Sequence, residues 1–175
     1  MTSTSKQDLL TALSKIPEVK QYETIYRPLL NSLGAKHIKN VHGPREFGRD
    51  FVFIEDANLL SEPILSVCQV KNGKLNNREA TEVLSQLCQA GEIEITNPLS
   101  QTKEVPKKVY LFSTHDLPDP PDAGPLQKRV RDSAVICTGE RLAELMLQHI
   151  PTVCLELVNP GARLRGKRSR AGLSF

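Results

Sequence analysis

The sequence predicts a sheet with helices covering its faces, an α/β or α+β fold, and three observations predict it. Apolar residues recur at helical spacing through the first 33 residues, short unbroken apolar runs follow, and an amphipathic stretch interrupts those runs before they resume. The 175 residues are 39% apolar and 25% charged, which supplies one buried core and a single domain over residues 1–160.

The first helix is marked by Leu9, Leu10, Leu13 and Ile16 and stops at Pro17. The second, over 22–33, sets Tyr22, Ile25, Tyr26, Leu29, Leu30 and Leu33 on one stripe; Pro28 predicts a kink in its middle and Gly34 ends it. Residues 36–41 alternate, with Ile38 and Val41 among polar neighbours, until His42-Gly43-Pro44 breaks the run. Residues 51–54 and 64–70 are rich in β-branched or aromatic side chains and read as central strands, the latter closed by Asn72-Gly73. Asn76 or Asn77 then caps a helix whose inner face carries Ala80, Val83, Leu84, Leu87, Cys88 and Gly91. Residues 96–106 read as a polar loop, 109–112 as a buried strand, 117–125 as a proline-rich loop and 134–137 as a further strand. A last helix over 139–150 carries Leu142, Leu145, Met146 and His149 and is halted by Pro151.

Composition excludes several classes. No run approaches the roughly 18–20 apolar residues of a membrane-spanning helix, and the start lacks the basic and apolar segments of a secretory signal. Cys68, Cys88, Cys137 and Cys154 are scattered without a CxxC pair, which argues against a zinc cluster or a disulfide framework and for a reducing, cytoplasmic setting. The net charge of +3 is uneven. Residues 161–175 hold Arg163, Arg165, Lys167, Arg168 and Arg170 and no acid, so this stretch reads as a basic tail or a linker, while 18 basic and 20 acidic side chains precede it.

Chemistry-bearing residues gather at strand ends. Asp50 opens the second predicted strand, and Gln69 and Lys71 lie two apart near the end of the third, on one face. If those strands pair, a carboxylate, an amide oxygen and an ammonium come together. Such a set suits phosphodiester hydrolysis with Mg²⁺, which takes oxygen ligands: Asp50, the Gln69 side-chain carbonyl and the Val70 backbone carbonyl. Lys71 would orient water and offset phosphate charge. Glu23 on the second helix and Glu46 in the turn before Asp50 are outer acids for a metal-bound water or, at Glu46, a contact with nucleic acid. His42 is first a turn residue, with phosphate contact as the alternative, and Lys74 is a solvated lysine that could bind phosphate. Gln86 and Gln89 on the third helix read as solvated or packing residues.

These residues resemble the PD-(D/E)xK restriction-endonuclease-like superfamily and, within it, the Mrr-type group. The matching stretches are Tyr22-Glu23 with Leu29-Leu30-Asn31-Ser32-Leu33-Gly34, then residues 42–50 (HGPREFGRD), then 68–74 (CQVKNGK). The resemblance covers about residues 20–115 and implies an α/β fold with an α-β-β-β-α-β core, a mixed central sheet and a C-terminal β-α extension over 130–158. It implies a metal-dependent nuclease acting on DNA, with RNA left open, whose signature is Asp50, Gln69 and Lys71 with Glu23 as the helix acid. It also implies Mg²⁺, for which Mn²⁺ can substitute, a place in bacterial restriction or antiphage defence, a possible homodimer, and a sensor or motor domain beyond residue 160 if the chain continues. Two positions depart from the pattern: Gln69 stands where an acid is usual, and Arg49 where a proline commonly precedes the aspartate. A neutral ligand holds Mg²⁺ more weakly, which leaves open a second reading, a binding or interaction module that keeps the fold and has lost turnover.

Overall fold

Alternation along the strands divides the apolar residues between two cores. In the computed structural model, which describes residues 5–41, 48–56, 62–119 and 124–160, Val52 and Ile54 of β2 (Phe51–Glu55) share a face with Leu65 and Val67 of β3 (Ile64–Lys71) and with Val109 and Leu111 of β6 (Lys108–Ser113). Phe51, Phe53, Cys68, Val70 and Phe112 take the other face. Val83, Leu84 and Leu87 of α4 (Asn77–Ala90) cover the first, helped by Val130 of α5 (Gly124–Ser133). The second lies under α1 (Lys6–Ser14), a helical run over 18–32, α6 (Gly139–His149) and α7 (Pro151–Val158), through Leu9, Leu13, Ile25, Leu29, Leu142 and Met146.

The five-stranded sheet has the order β1-β2-β3-β6-β7, with β1 at Ala35–Asn40 and β7 at Ala134–Thr138. β1, β2 and β3 are antiparallel neighbours, whereas β3, β6 and β7 run parallel, so the sheet is mixed. One end of it therefore collects the start of β2 and the carboxyl ends of β3, β6 and β7, the end at which open α/β sheets bind ligands. α4 forms the crossover from β3 to β6; its first turn carries a reciprocal cap in which Asn76 and Glu79 satisfy each other's backbone N–H groups.

The second helix differs from its expected form. It begins earlier, as α2 (Glu18–Gln21), widens into a π-helical turn (Tyr22–Tyr26), and continues as α3 (Arg27–Ser32). The Arg27 N–H reaches back five residues to the Tyr22 carbonyl, and Pro28, with no N–H to donate, follows at once. The kink expected at Pro28 is this widened turn. Gln21 joins α1 to α2, its buried side chain donating from Nε2 to the carbonyls of Leu13 (3.0 Å) and Ile16 (2.7 Å). Gly34, at φ +89°, takes the left-handed turn out of α3. β1 carries a bulge between Lys36 and Lys39 where His37 adopts φ +51°.

Two helices were not legible as such. The loop expected over 117–125 gives way to α5 from Gly124, and the halt at Pro151 also opens α7. Proline is tolerated in the first turn of a helix because its missing N–H would be unpaired there in any case. The stretch expected as loop over 96–106 holds a small hairpin of β4 (Ile95–Thr96) and β5 (Lys103–Glu104).

Candidate active site

Asp50 stands one residue before β2, where the ladder to β3 becomes irregular. The last regular pair is Phe51 with Cys68, and beyond it the Asp50 N–H donates to the Cys68 carbonyl at 2.8 Å. The Asp50 side chain then takes up the next β3 donor: Oδ2 accepts the Val70 N–H at 2.6 Å. These two anchors bracket Gln69. On the other side, Oδ1 accepts from the Tyr22 hydroxyl at 2.7 Å, and the same hydroxyl lies 3.0 Å from Glu18 Oε1. Glu18 Oε2 in turn accepts the Asn72 N–H, just past the end of β3, at 3.2 Å.

Burial raises the Asp50 pKa above its ordinary value; the Val70 and Tyr22 hydrogen bonds oppose the rise, Glu18 adds to it, and the charge of Lys71 lowers it. Tyr22 is pushed far upward, first by burial and then by its bond to Asp50, so it remains a donor.

Gln69 and Lys71 take the α4 side of β3. The Gln69 side chain is 2% exposed, its Nε2 donating to Gln86 Oε1 of α4, while its Oε1 is buried with no hydrogen-bond partner among the described residues. Gly48 fits against this amide pair at φ +75°. A Cβ there would come within 2.6 Å of Gln69 Nε2 and 2.8 Å of Gln86 Oε1. Lys71, half-buried, lines a cleft of about 200 Å³ with Leu75, Glu79, Glu82, Val83 and Gln86.

Comparison with known proteins adds the architecture. No protein family and no curated protein matches this chain. Among solved structures it superposes on the DNA modification-dependent restriction endonuclease AspBHI with a TM-score of 0.54 at 13% identity, over 98% of this chain and 41% of that enzyme. The fold is restriction-endonuclease-like. The chain thus spans about two-fifths of the length of that enzyme.

Within this fold the residues at the sheet end can be tested against a divalent cation. N–H and C=O of one strand residue share an edge, so the Val70 carbonyl opens on the side where its N–H meets Asp50. By chemistry the Asp50 carboxylate, the Val70 carbonyl and the Gln69 amide oxygen, which has no partner among the described residues, are oxygen donors of the kind a hard cation such as Mg²⁺ or Mn²⁺ takes. Among the described residues no three His, Cys, Asp or Glu side chains gather as a metal cluster. Water and substrate oxygens would complete such a shell.

Glu23, expected as the helix acid, has Arg27 as its partner. Glu23 is exposed and bound to Arg27, whose Nε and Nη2 donate to its two oxygens at 2.6 and 3.0 Å while Nη1 reaches the Ile38 carbonyl of β1. Glu18, one turn earlier, is the acid that shares Tyr22 with Asp50. It escaped sequence reasoning because a polar residue beside Pro17 carries no apolar period, and its second partner, Asn72, lies 54 residues away. Lys74 is exposed in the loop after β3. His42 and Glu46 fall outside the described residues.

Arg49, where the resemblance expects a proline, has an anchor of its own. Its buried guanidinium donates from Nη2 to the carbonyls of Ala90 (2.8 Å) and Ile93, at the C-terminus of α4, where the helix dipole favours a cation. Burial lowers its pKa. Arg49→Ala should cost about 2–3 kcal/mol through the lost charge-assisted bonds, a fall of roughly 5–10 °C in thermal melting followed by circular dichroism. An unchanged melting temperature would show that α4 does not depend on this contact.

Proposed function

We propose that this domain is a metal-dependent nuclease of the PD-(D/E)xK, Mrr type that hydrolyses phosphodiester bonds in DNA. Its signature is Asp50, Gln69 and Lys71, with Glu18 in the part first assigned to Glu23. The observation that carries this reading is the Asp50 carboxylate pinned on the Val70 N–H, next in sequence to Gln69, whose buried amide oxygen has no hydrogen-bond partner among the described residues.

Asp50, the Gln69 Oε1 and the Val70 carbonyl would hold the cation. When bound there, Mg²⁺ would supply positive charge against the scissile phosphate and a bound water more acidic than bulk water. The protein's own groups prepare the place. The Val70 N–H and the Tyr22 hydroxyl each engage one oxygen of Asp50, which fixes the carboxylate. Glu18 holds both Tyr22 and the Asn72 N–H, so the loop leaving β3 and the helix before it keep one spacing. Lys71, a compact cation on the strand face of Gln69, would meet the phosphate from the cleft beside α4 and offset its growing charge.

DNA as the substrate is supported by the activity that the name of AspBHI states. A role in restriction or antiphage defence, a homodimer, and a companion domain beyond residue 160 rest on the family resemblance. No helix among the described residues is long and apolar enough to cross a membrane.

Supercoiled plasmid and linear duplex incubated with Mg²⁺ or Mn²⁺ should be cut, and excess EDTA should stop the reaction. Cutting that continues in EDTA would defeat the metal-dependent reading. A second reading has its own support: both Asp50 oxygens already carry hydrogen bonds and Gln69 is neutral. It describes a module that binds DNA and does not turn over, and retention of duplex without cleavage under either metal would select it.

A further inference from the structure

We propose that Gln86 is a positioning residue that decides which end of the Gln69 amide faces the metal site, an inference that rests on the nuclease reading above. Three observations converge on it. Gln69 and Gln86 are joined side chain to side chain, Nε2 of the first to Oε1 of the second, at 2.5 Å. The other end of the Gln69 amide is buried and has no partner among the described residues. Gly48 closes over the pair so tightly that a methyl group would lie 2.6 Å from the Gln69 nitrogen and 2.9 Å from the Gln86 Cβ.

Both stems are held. Gln69 itself is buried on the α4 face of the sheet, and Val83 and Leu87 beside Gln86 are buried as well. What remains free is rotation of each terminal amide by half a turn, which exchanges oxygen for nitrogen. With the Gln86 oxygen toward Gln69, the Gln69 nitrogen is taken up and its oxygen is presented, as a cation requires. With the Gln86 nitrogen inward, the Gln69 NH₂ would face the cation and repel it. A glutamine can stand in for the usual acid only in the first arrangement. Residue 86 must therefore be able to accept.

The test separates orientation from charge. Mn²⁺ affinity is measured by electron paramagnetic resonance of the free ion, with plasmid cleavage in parallel, for Gln86→Glu and Gln86→Lys, each made with Gln69 and with Gln69→Glu. Glutamate at 86 only accepts and lysine only donates, so with Gln69 the lysine variant should bind Mn²⁺ more weakly than the glutamate variant. A carboxylate at 69 offers oxygen at both ends and cannot be turned the wrong way. In the Gln69→Glu pair only the charge difference at 86 remains, so the Lys-to-Glu ratio should shrink by about tenfold or more. Equal ratios in the two backgrounds would overturn the role of Gln86, whatever the size of each. Gln86→Arg repeats the donor-only end if the lysine variant does not fold, as judged by its melting curve. Wild type that cuts DNA with equal ratios removes this inference alone; wild type with no saturable Mn²⁺ binding removes the nuclease reading and this inference together.

Discussion

Asp50→Asn is expected to abolish cleavage while leaving the protein as stable as the wild type or more so. The asparagine is isosteric. Its Oδ1 can still accept the Val70 N–H, and its Nδ2 can donate to the Tyr22 oxygen, which frees the Tyr22 hydrogen for Glu18. What is lost is the negative charge that a cation needs. Metal-derived stabilisation of several kcal/mol corresponds to at least about a thousandfold in rate. What is gained is relief from burying that charge. The folded-state pKa of Asp50 is raised, so the folded protein binds its proton more tightly than the unfolded chain does. The ionised group therefore weakens the wild type as pH climbs from the ordinary value of 3.8 through the raised one, and that weakening persists at neutral pH. At pH 7 and without metal the variant should melt higher by roughly 2–4 °C, about 1 kcal/mol. Saturating Mn²⁺ should raise the melting temperature of the wild type only. A variant that melts lower and still cuts would contradict the assignment on both counts.

Lys71→Met should lower the cleavage rate by about a hundredfold or more, the usual cost of losing one group that meets developing charge. Methionine keeps the length and apolar stem, and the side chain is half-buried, so stability should change by no more than about 0.5 kcal/mol. The pH profile gives a second readout. Lys71 lowers the pKa of Asp50 by its charge, so its removal should move the acid limb of the rate profile to higher pH. Lys71→Arg keeps the charge and should restore the position of that limb even where the rate stays low. A limb that does not move in Lys71→Met would place the ammonium too far from Asp50 to serve it.

The framework of this site was legible because strands announce themselves by apolar runs. Residues 51–54 and 64–70 read as central strands, which the structure pairs antiparallel, and the period of two along β3 puts Gln69 and Lys71 on one face. The missing parts share a cause: polar residues whose meaning depends on a distant partner. Gln21 is buried in a position that hydropathy marks as surface, because its amide ends α1. Arg49 is buried because α4 ends over it, with the Ala90 carbonyl it binds 41 residues along the chain. Glu18 carries no periodic signal, whereas Glu23, about one turn along, matches the family resemblance. α5 is hidden by the proline-rich stretch of sequence before Gly124.

The widened turn at Tyr22–Tyr26 has a consequence for how this chain tolerates length change. A five-residue reach in a helix holds one residue more than an ordinary turn would, and losing that residue would restore regular winding. Everything upstream would then keep its angle about the axis, whereas the same loss from an ordinary turn would swing it by about 100°, given 3.6 residues per turn. Ile25, Tyr26 and Leu29 would keep their seats in the core, and Glu18 and Tyr22 would stay by Asp50. A deletion at exposed Thr24 should thus be absorbed, while one in the regular turns on either side would disconnect the helix from the carboxylate it steadies.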